Sequence, residues 1–334
     1  MVSNWRSRGY LRVKLLLHSE RTVAVTANDT AASQYGVERV ETVLHADWSD
    51  IVTESRLLPP CSYQGGKQRI SQQVVDHILS NTTTDDSTTF FDVCCGSGAI
   101  TAELLNRGVA PEQIVMIDIS SWGALWVMIG SGQFELATFK GYLDLVPEDK
   151  TQIHAFATEL ATQPASVDEV YKYLVLQACS FGGKQIWRDG DVWRNAFFRR
   201  HWLPTASSVR QSPANPMQPG PQNLYERVAK LVDRAVGVRA RQADVSAILL
   251  EDYDARSVIY VDPPYLNTTA YGFDFDIAQF VESVQAKNPA TLFVSEAAPV
   301  SPEAIRINAS GPRGGVSGNR RVAHEEWLSS FRCA

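Results

Sequence analysis

The residues Ile259 to Tyr265, with the sequence IYVDPPY, place several hydrogen-bond acceptors at the end of a short apolar run. That run is followed by Asp262, Pro263, Pro264 and Tyr265. Because proline has no N–H and a fixed φ angle, the two prolines would hold the Asp262 carboxylate and the carbonyls of Asp262 and Pro263 in a stiff group beside the Tyr265 ring. A planar base with an exocyclic amino group could stack on that ring while its amino hydrogens meet these acceptors. The alternative is a strand-ending turn with an ordinary surface aspartate.

A second motif, YQGGK, has the residue types that bind an anion. Its members are Tyr63, Gly65, Gly66 and Lys67, and an apparent helix over residues 70–79 follows. The glycines let the backbone approach a ligand, the helix start offers free N–H groups, and the lysine adds a positive charge. A carboxylate or phosphate would fit there. A simple glycine turn before a helix is the alternative.

A third motif, FFDVCCGSG, predicts a buried strand, an acid, a glycine loop and a helix, which together form the first half of a nucleotide-binding βαβ unit. Its polar and glycine residues are Asp92, Gly96 and Gly98. The third glycine of the dinucleotide motif and the GK[ST] ending of a Walker loop are both missing. The next predicted strand ends in Asp118, about twenty residues beyond the glycines, where an acid can accept hydrogen bonds from ribose hydroxyls. These features favour an adenosine cofactor without a pyrophosphate, such as S-adenosylmethionine; for Asp118 the alternative is a helix N-cap.

Basic and aromatic residues alternate between positions 184 and 210. The candidates for nucleic-acid contacts are Lys184, Arg188, Arg194, Arg199 and Arg200, and the aromatic residues among them are Trp187, Trp193 and Trp202. Basic side chains can hold phosphates and read guanine edges, while aromatic side chains can stack on bases. The alternative is a solvated basic face with its tryptophans in a small core.

The elements that must position these residues are buried strands alternating with helices, which predicts a mostly parallel α/β sheet. A weak strand from Val238 would end in Asp244, a candidate acceptor for the adenine amino group of the cofactor. Residues 204–221 contain five prolines and predict a long loop, and a helix over residues 223–236 returns the chain to the sheet. We therefore expect an N-terminal extension of unknown role (1–58), a sheet domain (59–134 and 236–334) and an inserted region (135–235).

Composition narrows the class of protein. The 334 residues carry a net charge of −6, which disfavours non-specific coating of polyanions but permits a local basic face. The five cysteines are odd in number and have no CxxC spacing, so we expect a reducing compartment and no metal site. No apolar run approaches the length of a membrane span, and we expect a cytoplasmic protein that does not contact a membrane.

The order YQGGK, FFDVCCGSG, a long basic insertion and then VDPPY resembles the Dam-like adenine-specific DNA methyltransferases, in the permuted motif order called group alpha. The match continues beyond the tetrapeptide, through DPPYLNTTAYGFDFDIAQF, and covers roughly residues 61–120 and 236–330. Cys94 departs from the family, which usually has phenylalanine there, and the SFGGK segment of the insertion is also unlike the best-known members.

The resemblance implies an α/β fold: a Rossmann-like S-adenosylmethionine-dependent methyltransferase sheet with an inserted, mainly helical target-recognition region. Its motifs also imply residue roles. For the methionine part of the cofactor the matching residues are Tyr63, Gly65, Gly66 and Lys67; for its amino group and backbone they are Asp92, Gly96 and Gly98; for its ribose, Asp118; and for the target adenine, Asp262, Pro263, Pro264 and Tyr265.

The implied activity is transfer of a methyl group from S-adenosylmethionine to the exocyclic amino group of a flipped-out adenine in a specific sequence of double-stranded DNA. We expect the enzyme in the cytoplasm of a bacterium or phage-infected cell, as a monomer. A cognate restriction endonuclease is a possible partner, as in restriction–modification systems. Two alternatives stand beside it. One is an amino-methyltransferase for cytosine, RNA or protein glutamine, and the other is a sequence-specific DNA-binding protein with a decayed catalytic site.

Overall fold

The computed structural model describes residues 56–209, 211–263, 276–307 and 325–332, together with the backbone of residues 16–17 and 23–24. The chain divides into two units, residues 1–55 and 56–334. In the first unit, β1 (Leu16–Leu17) pairs antiparallel with β2 (Val23–Ala24). The second unit contains every predicted site residue that the structure describes.

A seven-stranded sheet forms the centre of the second unit. Its strands are β3 (Phe90–Val93), β4 (Ile114–Asp118), β7 (Arg239–Gln242), β8 (Val258–Val261), β9 (Thr291–Glu296), β10 (Ala304–Arg306) and β11 (Trp327–Phe331), while β5 (Trp187–Asp189) and β6 (Val192–Arg194) form a separate hairpin. The order across the sheet is β10-β11-β9-β8-β3-β4-β7. The pairs from β9 to β7 are all parallel, and β11 is antiparallel to both β9 and β10. The prediction of a mostly parallel α/β sheet is confirmed.

The central strands β3, β4, β8 and β9 are buried on both faces, as their apolar sequences require. Successive residues of a strand point to opposite faces, so Phe90 packs into one core and Phe91 into the other. The first core is the larger and includes Trp122 and Trp126; the second includes Phe280. Both cores are closed by helices.

The helices around the sheet are α1 (Ser71–Asn81), α2 (Ala99–Asn106), α3 (Ser121–Gly130) and α8 (Ile277–Lys287). The predicted helix over residues 70–79 corresponds to α1. It begins one residue later than predicted, since Ile70 has φ −120° and ψ −4°, outside the helical region. No helix in the described part of the chain has the length and apolar character needed to cross a membrane.

The region between β4 and β7 contains, after α3, the helices α4 (Leu136–Asp144), α5 (Ile153–Leu160), α6 (Glu169–Cys179) and α7 (Pro221–Arg234), and it also contains the β5–β6 hairpin. Between Pro204 and Gly220 the described residues form no helix, and their only strand-like pairing is an isolated bridge from Ala214 to Trp202. The predicted proline-rich loop is thus confirmed. The predicted helix after it is also present, but it begins at Pro221 because proline suits the first turn of a helix.

Candidate active site

The candidate site lies where the strand order of the sheet reverses. From β3 the chain goes to β4 and β7 on one side, and only later to β8 and β9 on the other. Open α/β sheets bind ligands at the carboxyl ends of the strands flanking such a reversal. Here those ends carry the glycine loop after β3 and Asp262 after β8. The two are adjacent, since the Asp262 N–H donates to the Val93 carbonyl at 3.2 Å.

The glycine loop is shaped by close packing of aromatic side chains. Gly96 and Gly98 have φ angles of +48° and +72°, a region that favours glycine. A Cβ atom on Gly98 would lie 2.0 Å from the Trp126 ring, and one on Gly96 would lie 2.9 Å from the Tyr63 ring. The Trp126 indole N–H also donates to the Gly96 carbonyl at 3.1 Å. The second motif is therefore packed directly on the third, as Tyr63 reaches the glycine loop.

The YQGGK motif forms a tight turn beside Asp262. The Gly66 N–H donates to the Tyr63 carbonyl at 3.0 Å, and the Tyr63 ring meets Trp122 edge-to-face with 5.5 Å between ring centroids. Lys67 is only 6% exposed. Its ammonium nitrogen lies 2.5 Å from Asp262 Oδ1 and donates to the Gly65 carbonyl at 3.2 Å. The structure thus brings together the lysine of one motif and the aspartate of another.

A third charged side chain joins this pair. Glu326, one residue before β11, is 3% exposed, and its Oε1 lies 3.5 Å from Lys67 Nζ. Burial raises the pKa of Asp262 to about 7; Lys67 opposes the increase, whereas Glu326 and Asp92 add to it. Sequence reasoning missed Glu326, because its neighbours form no motif and only the placement of β11 beside β9 brings it here.

Asp92 and Asp118 bind the start of each following helix. Asp92 is 1% exposed, and its Oδ2 accepts from the Thr101 N–H at 3.1 Å and hydroxyl at 2.7 Å. Burial raises its pKa to about 7, against the effect of these hydrogen bonds. Asp118 accepts from the Gly96 N–H at 2.8 Å and from the N–H and hydroxyl of Ser120. The N-cap of α3 is Ser120, so Asp118 orients the cap instead of being the cap itself.

Of the remaining predicted residues of the sheet domain, the described ones, Asp244 and Pro263, lie at the same edge. The prediction of a strand from Val238 ending in Asp244 is wrong at its end, since β7 ends at Gln242. Asp244 lies two residues beyond it, is exposed, and accepts from the Ser246 N–H at 2.9 Å, which lowers its pKa. Pro263 is buried directly after Asp262. Pro264 and Tyr265 lie outside the described residues, so the predicted stacking of a base on Tyr265 stays a prediction.

The SFGGK segment of the insertion supports the YQGGK turn. The Gln64 N–H donates to the Gly183 carbonyl at 2.7 Å. Gln177, buried on α6, in turn donates from its side-chain amide to the carbonyls of Gly183, at 3.4 Å, and Lys184, at 3.0 Å. Sequence reasoning noted the repeated GGK but missed Gln177. No local sequence pattern marks Gln177, because its role depends on the contact between Gln64 and Gly183, which lie far apart in the chain.

Three of the five basic candidates bind other parts of the chain. Arg188 lies 3.1 Å from a Glu169 oxygen and 5.0 Å above the Trp193 ring. Arg194 lies 2.9 Å from an Asp189 oxygen, and Arg199 donates to the side-chain oxygen of Gln218 at 2.5 Å. Trp193 is itself buried and stacks on Tyr173.

The remaining candidates are Lys184, which is half-buried, and Arg200, which is exposed. Arg200 lines a shallow depression of about 550 Å³ with Phe181, Phe198, Trp202 and Ala214. Since Trp202 is 38% exposed, this depression offers both a guanidinium and an aromatic face to a partner.

Two comparisons with known proteins found no relative of this chain: no family model matches it, and no curated protein matches it. Among the described residues, no three histidine, cysteine, aspartate or glutamate side chains cluster as they would around a metal ion. Four described cysteines are free thiols: Cys61, Cys94, Cys95 and Cys179.

Proposed function

We propose that this protein is an S-adenosylmethionine-dependent DNA methyltransferase that acts on the exocyclic amino group of adenine. The observation that carries the proposal is the position of Asp262. Its carboxylate stands at the reversal of strand order, one strand away from a glycine loop and in contact with a buried lysine. This is where a planar amine and an adenosine cofactor would have to meet.

The charge of the site fits a cofactor that carries a positive sulfur and no pyrophosphate. The carboxylates of Asp118, Asp262, Asp92 and Asp244 all act on Cys94 and raise the pKa of its thiol, after the larger effect of burial. The ammonium nearest to them, that of Lys67, is already paired with Asp262. An excess of carboxylates attracts a sulfonium and repels phosphates.

Within that site, the residues of the first two motifs would hold S-adenosylmethionine. The Gly65–Gly66 turn would hold its amino-acid part, Asp118 its ribose and Asp244 the amino group of its adenine. When bound, the cofactor supplies a methyl group activated by the positive sulfur.

The chain's contribution to the chemistry is to prepare the amine. The lone pair of an adenine amino nitrogen is delocalised into the ring, and acceptors on its hydrogens return electron density to the nitrogen. Asp262 Oδ2 and the backbone after it would accept those hydrogens, and the Lys67 ammonium would favour the ionised carboxylate, against the effect of burial. The hydrogen bond from the Asp262 N–H to the Val93 carbonyl would hold Asp262 in place to align the amine, and alignment supplies a large part of such a rate enhancement.

The insertion would bind the duplex. A base inside a duplex is out of reach of Asp262, so the adenine must leave the stack, at a cost of a few kcal/mol. The exposed guanidinium of Arg200 and the face of Trp202 could hold a phosphate and stack on a base.

Asp262→Asn tests the proposal. An amide presents one acceptor oxygen and no charge, so we expect transfer of labelled methyl groups to DNA to fall at least about a hundredfold, the usual contribution of a proton-accepting side chain. Cofactor affinity, measured by calorimetry, should stay within a few-fold of wild type.

The matched control is Asp254→Asn, which removes an exposed aspartate paired with Arg256. That control should keep full transfer activity. Undiminished transfer by a folded Asp262→Asn protein would reject the assignment of Asp262.

A further inference from the structure

Two carboxylates, the half-buried Asp262 and the buried Glu326, share one buried ammonium in the candidate site. Lys67 lies 2.5 Å from Asp262 and 3.5 Å from Glu326, with 6% of the lysine and 3% of Glu326 exposed. Charges in such surroundings interact strongly, because water screens them little. Glu326 immediately precedes β11, the strand that runs antiparallel to both of its neighbours in the sheet.

We propose that Glu326 is a positioning residue for the proposed methyl transfer: it shares the Lys67 ammonium with Asp262 and places a second negative charge beside it, so that Asp262 can take a proton from the amino nitrogen. This inference rests on the proposed function. It adds a residue that none of the sequence motifs contains.

The proton has to leave for the reaction to balance. The amino nitrogen forms a bond to the methyl carbon while the carbon–sulfur bond breaks, with its electron pair staying on sulfur. The nitrogen then carries an extra positive charge and loses one proton, which Asp262 receives. A carboxylate with an ordinary, low pKa is a poor acceptor for that proton, and a base works best when its pKa is near the working pH.

Glu326 acts on Asp262 through Lys67 and directly through its own charge. Its negative charge raises the pKa of Asp262, after the larger effects of burial, which raises it, and Lys67, which lowers it. In the described residues, the other titratable groups interacting with Asp262 are Asp92 on β3, Cys94 after β3 and Tyr260 on β8. Asp92 acts in the same direction as Glu326 but lies on a different strand, so a change at Glu326 leaves it in place.

The direct test is the protonation of Asp262 in the full chain with and without the Glu326 charge. The probe is the 13Cγ resonance of labelled aspartate, with Asp262 assigned by its loss in Asp262→Asn. In Glu326→Gln, the titration midpoint of Asp262 should fall by about one pH unit, the size of shift that one nearby charge produces. The acidic limb of the pH profile for methyl transfer should move by the same amount.

Two variants serve as controls. Glu325→Gln removes the neighbouring charge, which is exposed and paired with Arg306 at 3.0 Å, and it should leave the midpoint unchanged. Glu326→Asp keeps the charge and should stay closer to wild type than Glu326→Gln. A midpoint that does not fall in folded Glu326→Gln would overturn the inference, even if the wild-type protein is active. If the Asp262 midpoint shifts in Glu326→Gln but the wild-type protein methylates no DNA, the proposed function is rejected. The role of Glu326 in methyl transfer is then rejected with it.

Discussion

The burial of Asp92 makes the stability of the fold depend on pH. Its pKa is raised from 3.8 to about 7, chiefly by burial. Below pH 3.8 the group is protonated in both folded and unfolded chains. Between pH 3.8 and about 7 the unfolded chain gives up this proton while the folded chain keeps it, so the contribution of Asp92 to stability falls as the pH rises.

Asp92→Asn should therefore change stability in a pH-dependent way. An amide oxygen can accept the two hydrogen bonds from Thr101, as Oδ2 does now, without a buried charge. The unfolding free energy of the variant minus that of wild type should be larger at pH 8 than at pH 5. Urea denaturation at the two pH values measures it. A difference from wild type that is constant between these pH values would contradict the raised pKa of Asp92.

At the scale of single residues, the sequence predicts the members of the site that belong to motifs. Lys67 and Asp262 are examples, because glycine and proline punctuation mark their surroundings. Glu326 and Gln177 could not be predicted. Their roles arise from strand pairing and a loop contact between residues far apart in the chain, which leave no local pattern.

At the scale of elements, the start of α2 depends on Gly98. It is the N-cap of α2 in a left-handed conformation, with Trp126 closing the space where a Cβ would lie. Gly108 has a similar φ angle, +84°, but a Cβ there would meet no described atom within 4 Å. Comparing alanine substitutions at Gly98 and Gly108 therefore separates the cost of a left-handed backbone from the cost of a clash with Trp126.

Gly108→Ala should cost about 1 kcal/mol of unfolding free energy, the strain of a left-handed alanine. Gly98→Ala should cost about 2 kcal/mol more, because it must also displace the Trp126 ring. Chemical denaturation of both variants measures the difference. Equal losses would show that Trp126 does not confine Gly98.

The predictability of elements follows their apolar pattern. The strand β8 is a continuous apolar run, β3 and β4 are apolar apart from Asp92 and Asp118, and α7 has a clear apolar stripe, so the sequence predicts each of them. The strands β10 and β11 were not. β10 is largely exposed and β11 buries Ser329 and Ser330, so neither has the alternation or the apolar run that marks a strand.

At the scale of the whole molecule, we expect the insertion to bind DNA chiefly through exposed cations. Arg200→Ala should weaken binding to duplex DNA and reduce the slope of log affinity against log salt by about 1, as expected for one lost phosphate contact. Arg194→Ala should have a smaller effect, since Asp189 already binds that guanidinium. Fluorescence anisotropy over a range of salt concentrations compares them. Equal slopes for Arg200→Ala and wild type would place the DNA elsewhere.

Methyl transfer to DNA can be measured directly. Full-length protein should be incubated with methyl-labelled S-adenosylmethionine and unmethylated duplex DNA, and the DNA then digested to identify the labelled nucleoside. We expect label on the amino group of adenine. Label on cytosine would keep the assigned site but change its substrate, and label only on RNA or protein would exclude DNA as the substrate. Absence of cofactor binding together with sequence-specific DNA binding would rule out methyl transfer and favour a decayed catalytic site.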